Sequence, residues 1–122
     1  MRDFYLFTNT KITGEKCFEL LKQNCPNAKW TENVYLSLTG RHRAYLWFSS
    51  DRVDDGLDCD IEENKKHVPL ENPYIAHLEA YRSIDLKRML AVLVQIYPEL
   101  YVNDDGDWYG TAQEYIDTEF DY

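Results

Sequence analysis

Residues 83–98 read SIDLKRMLAVLVQIYP, and this stretch determines much of the fold that the rest of the chain can adopt. Ser83 is a suitable N-cap, Asp85 lies where the helix dipole favours an anion, and Pro98 closes the segment. The run is long for a strand, and its second half is apolar on nearly every side. We therefore expect a helix here that forms the buried centre of the fold.

The segments before this helix alternate between apolar and polar residues in the way that strands do. The aromatic segment FYLFT at 4–8 predicts a first strand, while NVYLSLT at 33–39 and RAYLWFS at 43–49 predict two more. Residues 40–42 lie between the last two and indicate a hairpin loop. In the last of these strands Ala44, Leu46 and Phe48 share one face, and Tyr45 and Trp47 share the other.

Two further segments complete the N-terminal part of the prediction. Thr13 is a plausible N-cap for a helix that reaches Asn24, just before Pro26. The segment PYIAHLEAYR at 73–82 fits either a strand or the start of a helix, and we favour a strand. That strand would place Ala76, Leu78 and Ala80 on one face.

The C-terminal segment predicts a hairpin followed by a short helix. Asp105 and Gly106 form a pair typical of a two-residue type I′ turn, in which both central residues have positive φ. Thr111 and Glu114 match a capping box, so we expect a last helix from Ala112 to about Phe120. These patterns together predict a single α+β domain over residues 1–122. We expect a sandwich of a mainly antiparallel sheet and two to three helices, with an acidic loop insert at about 51–73.

Composition places the chain among globular proteins. It has 122 residues, of which 44% are apolar, enough to bury a core in one domain. Cys17, Cys25 and Cys59 match no zinc-binding spacing and indicate reduced thiols. No signal peptide is evident at the start, and no apolar run approaches the length of a membrane span. We therefore expect a cytoplasmic protein that does not bind membranes.

The net charge of −9 is concentrated in two segments of the sequence. Residues 51–64 hold seven acids and one base, and residues 99–122 hold eight acids and no base. The rest of the chain is net positive by five. The total charge of −9 disfavours nucleic acid as a ligand, because phosphate binding needs clustered lysine and arginine. Charge runs of this kind are often only solvated loops, but they also suit docking to a basic protein. The candidate partner-binding residues are Asp51, Asp54, Asp55, Asp58, Asp60, Glu62, Glu63, Asp104, Asp105, Asp107, Trp108 and Tyr109.

Trp108 and Tyr109 lie among the C-terminal acids and allow two interpretations. Trp and Tyr are frequent anchors of protein interfaces, where they supply desolvated contact area that acids alone do not provide. They also bury readily in a core when their polar tips find partners. The sequence leaves both interpretations open.

The motifs of metal, nucleotide and nucleophilic sites do not fit this chain. Gly56 has the place of the sixth-position glycine of an EF-hand, but Val53 replaces the ligand at the third position. Asp58 and Asp60 form an Asp-x-Asp pair, yet they lie inside an acidic run rather than after an apolar strand. No phosphate-binding loop or nucleophile elbow is present. We therefore expect a protein that is not an enzyme and has no metal or cofactor.

The segment YPELYVNDDGDWYGTAQEYI at 97–116, with the length, acidity and α+β pattern of the chain, resembles the small acidic immunity proteins of bacterial toxin–immunity systems. This group includes inhibitors of contact-dependent growth-inhibition toxins. The resemblance implies a cytoplasmic protein that binds one cognate basic toxin domain and blocks its active site or substrate entry. Many such toxins are nucleases with basic clefts. No site residue of the family is carried over to a position of this sequence.

Two other functions remain open at this point. A phage or plasmid DNA-mimic would use the same electrostatics against a host DNA-binding enzyme, with carboxylates spaced like phosphates over a longer surface. A small enzyme would instead use the acidic insert to hold a metal ion.

Overall fold

The computed structural model describes residues 2–12, 14–24, 28–31, 35–38, 44–47 and 66–120. In chain order its elements are β1 (Arg2–Thr8), α1 (Gly14–Asn24), β2 (Lys29–Thr31), β3 (Tyr35–Leu38), β4 (Ala44–Trp47), β5 (Tyr74–Ala80), α2 (Ser83–Ile96), β6 (Tyr101–Asn103), β7 (Tyr109–Thr111) and α3 (Ala112–Ile116). The predicted α+β class is confirmed, and the segment at 73–82 is a strand as favoured.

The seven described strands form one sheet in the order β2-β3-β4-β5-β1-β6-β7. Every pair of neighbours is antiparallel, and β1 pairs with β5 along its whole length. Strand β2, at one edge, was not predicted. It has only three residues, Lys29–Thr31, too few for an alternating pattern to be recognised.

One face of the sheet packs against the helices and forms the main core. Alternate residues of β1 and β5, including Phe4, Leu6 and Leu78, point into this core and are almost fully buried. The predicted face of β4 is confirmed, because Ala44 and Leu46 are buried while Tyr45 and Trp47 are half-buried. Full burial of one such leucine stabilises the fold by about 1.5–3 kcal/mol.

The opposite face of the sheet carries a second, smaller apolar cluster. Phe7, Val68 and Ile75 are buried there. Half-buried side chains pack around them, namely Tyr5, Leu70, Tyr101 and Tyr109. Val68 and Leu70 belonged to the predicted acidic loop insert, but their side chains cover part of the sheet. The more acidic part of that insert, residues 51–65, lies outside the described residues.

Helix α2 lies between α1 and α3 in the helical layer, and its start differs from the prediction. Its N-cap is Arg82 and not Ser83, because the Asp85 carboxylate accepts a hydrogen bond from the Arg82 backbone N–H at 3.0 Å. The Ser83 hydroxyl instead donates to the Phe120 carbonyl oxygen at 2.7 Å and holds the C-terminal segment. The helix is also less enclosed than its sequence indicates, since Ala91 and Gln95 are exposed.

Helix α3 is shorter than predicted. Its start is confirmed, because Thr111 is the N-cap and forms the capping box with Glu114. It ends at Ile116 instead of near Phe120. The Thr118 hydroxyl and backbone N–H both donate to the Tyr115 carbonyl oxygen, at 2.6 and 3.1 Å. A hydrogen bond from a nearby side chain to the backbone competes with the next hydrogen bonds of the helix, so the helix ends before Thr118.

Candidate functional site

The hairpin of β6 and β7 carries the C-terminal acids on a loop that its own side chains hold together. The buried Asn103 amide donates to the carbonyl oxygens of Gly106 and Trp108, at 3.1 and 2.9 Å. Its carbonyl oxygen accepts from the Asp105 backbone N–H at 3.2 Å. Asp104 accepts from the Trp108 backbone N–H at 3.2 Å. The loop conformation is therefore fixed by two side chains as well as by strand pairing.

The predicted two-residue type I′ turn is wrong. Strand pairing stops at Asn103 and Tyr109, and the Asp104 N–H donates to the Trp108 carbonyl oxygen at 3.3 Å, so the loop is longer. Asp105 lies at φ 59°, whereas Gly106 lies outside the left-handed region. An aspartate tolerates a positive φ better than most residues, because its short polar side chain can form local hydrogen bonds in this conformation. Hydrogen bonds from the side chains of Asn103 and Asp104 thus prevail over the preference of the Asp-Gly pair for a type I′ turn.

The three aspartates predicted as docking residues in this loop do not share one role. Asp105 and Asp107 are exposed, while Asp104 is half-buried and stabilises the loop. Three exposed acids that were not predicted as site residues extend the surface, namely Glu114, Asp117 and Glu119. We call residues 103–120 the acidic hairpin unit. Its sequence contains no lysine or arginine.

The exposed carboxylates of the acidic hairpin unit form no ion pair with a lysine or arginine in the described structure. Among the residues it describes, no lysine or arginine lies within salt-bridge distance of Asp105, Asp107, Glu114, Asp117 or Glu119. Lys87 approaches the unit but donates to the carbonyl oxygens of Thr118 and Phe120, at 2.6 and 3.2 Å. Like charges collected in this way repel one another, and a cationic partner would relieve that repulsion.

Trp108 belongs to an aromatic cluster that joins the hairpin to α3 and the C-terminal segment. Its half-buried ring packs edge-on against Tyr115, with 5.2 Å between ring centroids, and against Phe120 at 6.2 Å. Tyr115 is almost fully buried and also contacts Phe4 in the main core. Trp108 therefore packs into the fold and keeps part of its surface exposed. Its role as an interface anchor stays a prediction.

Tyr109 lies on the other face of the sheet and is separated from Trp108. Its ring stacks on His67 with 4.5 Å between centroids and an interplanar angle of 19°. It packs there with Phe7 and Val68 in the second cluster. The two predicted aromatic anchors thus do not form one surface. Tyr101, on the same side, has its phenol pKa raised by burial and by the nearby Glu114 carboxylate.

The other predicted docking residues cannot be placed relative to this unit. Asp51, Asp54, Asp55, Asp58, Asp60, Glu62 and Glu63 all lie outside the described residues. Their participation in partner binding stays a prediction.

A second group of polar and aromatic residues lies on the sheet face opposite the helices, and no local sequence pattern predicted it. The imidazole of His77 stacks between Tyr5 and Trp47, with centroid distances of 5.6 and 5.4 Å. Its Nε2 lies 2.9 Å from Asp3 Oδ1. Glu79 completes the group, and one ligand atom of each of the three polar residues lies within 4.8 Å of the others. Only the pairing of β1 with β5 brings these distant residues together.

Cys17 is a buried, free thiol. Burial raises its pKa from 9.0 to about 11, and a weak hydrogen bond to the Tyr97 hydroxyl acts in the opposite direction. The thiol is therefore protonated at neutral pH and is a poor nucleophile. Because the pKa is raised in the folded state, the contribution of this group to the free energy of unfolding is fully present below about pH 9. That contribution is lost as the pH rises to about 11.

None of the helices in the described parts of the chain has both the length and the apolar character that a membrane span requires. Comparisons of the chain with protein-family models, with curated proteins and with solved structures found no match.

Proposed function

We propose that the chain is an immunity protein that binds a cognate bacterial toxin and neutralises it. In this proposal the acidic hairpin unit docks on a basic surface of the toxin. The observation that carries the proposal is the set of five exposed carboxylates that form no ion pair with a lysine or arginine among the described residues. Such a set attracts a cationic surface at long range and gains ion pairs on contact.

The rigidity of the loop supports a binding role for this surface. Bonds from Asn103 and Asp104 fix the backbone that carries Asp105 and Asp107. A surface that is ordered before binding loses less conformational entropy on association, so more of the contact energy appears as affinity. The exposed part of the Trp108–Phe120 cluster would add apolar contact area beside the acids.

A basic cleft is the kind of surface that this unit fits best. A nuclease active site attracts phosphate with lysine and arginine side chains, and carboxylates compete for the same groups. The toxin is therefore expected to be a nuclease, inhibited because its substrate entry is occluded. The resemblance of residues 97–116 to acidic immunity proteins points to the same class.

Growth protection in bacteria tests this function. The proposal predicts a large toxin gene directly upstream of the gene for this chain, and the test expresses its toxin domain in a sensitive strain, with and without the chain. We expect the chain to restore growth. The Asp105→Asn/Asp107→Asn variant should protect less, because it removes the two exposed charges at the tip of the hairpin.

A matched variant separates this effect from the loss of net charge. Glu19→Gln/Glu71→Gln also removes two exposed carboxylates, but outside the acidic hairpin unit. It should protect as well as the wild type. Failure of the wild-type chain to protect against the toxin encoded beside it would contradict the proposed function. Equal protection by both double variants would contradict the proposed surface.

A further inference from the structure

We propose that Asp3, His77 and Glu79 form a binding site for a divalent transition-metal ion such as Zn²⁺. The three side chains project from β1 and β5 on the sheet face opposite the helices. This site is separate from the acidic hairpin unit and does not depend on the proposed immunity function.

The ligand atoms are close to the spacing that a metal ion requires. Metal–ligand bonds of about 2.0–2.2 Å place the ligands of a tetrahedral ion about 3.3–3.6 Å apart. His77 Nε2 lies 2.9 Å from Asp3 Oδ1, and ligand atoms of all three residues lie within 4.8 Å of one another. Small rotations of the two carboxylates would therefore complete the geometry without movement of the strands.

The imidazole is held in place before any ion binds. His77 is paired with Tyr5 on one side and Trp47 on the other, in the register of three adjacent strands. Both rings stack on it, with interplanar angles of 28° and 20°. A ligand whose rotamer is already fixed loses little side-chain entropy on binding.

The charge arrangement is unfavourable without a cation. Asp3 and Glu79 lie directly opposite each other across the β1–β5 pair, and like charges at such positions destabilise a sheet. Asp3 contacts His77, but Glu79 has no hydrogen-bond or ion-pair partner among the described residues. A contact between Asp3 and His77 alone would explain why those two side chains lie together, but it would not explain the position of Glu79 beside them. A bound cation accounts for all three.

The donor set indicates the class of metal. One imidazole nitrogen and two carboxylate oxygens suit zinc and its first-row neighbours better than magnesium or calcium, which favour oxygen ligands alone. Three protein ligands also leave at least one coordination position for water, or for a group supplied by another molecule.

Titration calorimetry with Zn²⁺ on the full, untagged chain tests the site, and the visible absorption of bound Co²⁺ reports the ligand geometry. We expect one ion per chain at this site. His77→Phe retains the aromatic stack but removes the nitrogen ligand, and Glu79→Gln retains the shape but removes the charge. Each should weaken binding at least about tenfold. His67→Phe and Glu71→Gln, which alter exposed residues outside the group, should leave binding unchanged.

Thermal unfolding on the same proteins separates metal binding from a loss of fold. Zn²⁺ should raise the melting temperature of the wild type and of the two control variants, because an ion that binds only the folded state stabilises it. That rise should be lost in His77→Phe and Glu79→Gln. The proposal is overturned if the wild type binds no Zn²⁺, or if His77→Phe and Glu79→Gln bind it as tightly as the wild type.

Discussion

At Gly110 the backbone passes directly beneath the ring of Trp108. A Cβ at this position would lie 2.6 Å from Trp108 Cη2 and 2.9 Å from Cζ2, closer than real contacts allow. The ring in turn packs against Tyr115 and Phe120, so its withdrawal would disturb the aromatic cluster. Gly110 is required here by this close approach and not by its backbone angles.

Replacement of Gly110 by alanine should therefore destabilise the protein. We expect a loss of about 1–3 kcal/mol in the free energy of unfolding, the usual range for an overpacked core site. Urea denaturation followed by tryptophan fluorescence measures it. Gly106→Ala is the comparison, because its Cβ would meet only the Asp104 carboxylate, with Oδ1 at 3.1 Å. Its cost should be smaller and limited to the hydrogen bond between that oxygen and the Trp108 N–H. Equal stability of Gly110→Ala and wild type would refute this packing.

Roles of single residues were the least predictable from sequence. Alternation along a strand implies that Trp108 and Tyr109 point to opposite faces, but not which partners they meet there. Those partners, Phe120 and His67, are fixed by tertiary packing. The Asp3–His77–Glu79 group was equally hidden, because its members come from strands 74 residues apart in the chain.

Most of the elements followed from local patterns. The alternation in β4 and β5 and the capping box of α3 are strong local signals, and the structure confirms each of them. The errors arose where a distant contact prevailed over a local preference. The Ser83 hydroxyl bonds to Phe120 instead of capping α2, and Asn103 rearranges the Asp105–Gly106 turn.

The capping box of α3 offers a test at the scale of one element. Thr111 Oγ1 accepts from the Glu114 N–H at 3.1 Å, and the Glu114 carboxylate accepts from the Thr111 N–H at 3.0 Å. Thr111→Ala should lower the free energy of unfolding by about 1 kcal/mol. Glu114→Gln keeps an acceptor for the same N–H and should cost less. Thermal unfolding of the two variants compares them, and an unaltered melting temperature for Thr111→Ala would show that the cap is unimportant.

For the association of the whole molecule with a charged partner, the distribution of charge matters more than its total. The net charge of −9 comes largely from two segments, while the rest of the chain is net positive. Of the two, the acidic hairpin unit lies within the described structure, as a fixed surface that joins β6, β7 and α3. Charge of this kind acts mainly on the rate of association with a partner of opposite sign.

The association rate with the proposed toxin partner, measured by stopped-flow fluorescence across salt concentrations, is the most direct test of this surface. Between about 50 and 500 mM salt the Debye length falls from about 14 to about 4 Å. We predict a large decrease in the association rate over that range and a much smaller change in dissociation. At low salt, Asp105→Asn/Asp107→Asn should associate more slowly than Glu19→Gln/Glu71→Gln, which has the same net charge. An association rate that is independent of salt and equal in the two variants would contradict docking through the acidic hairpin unit.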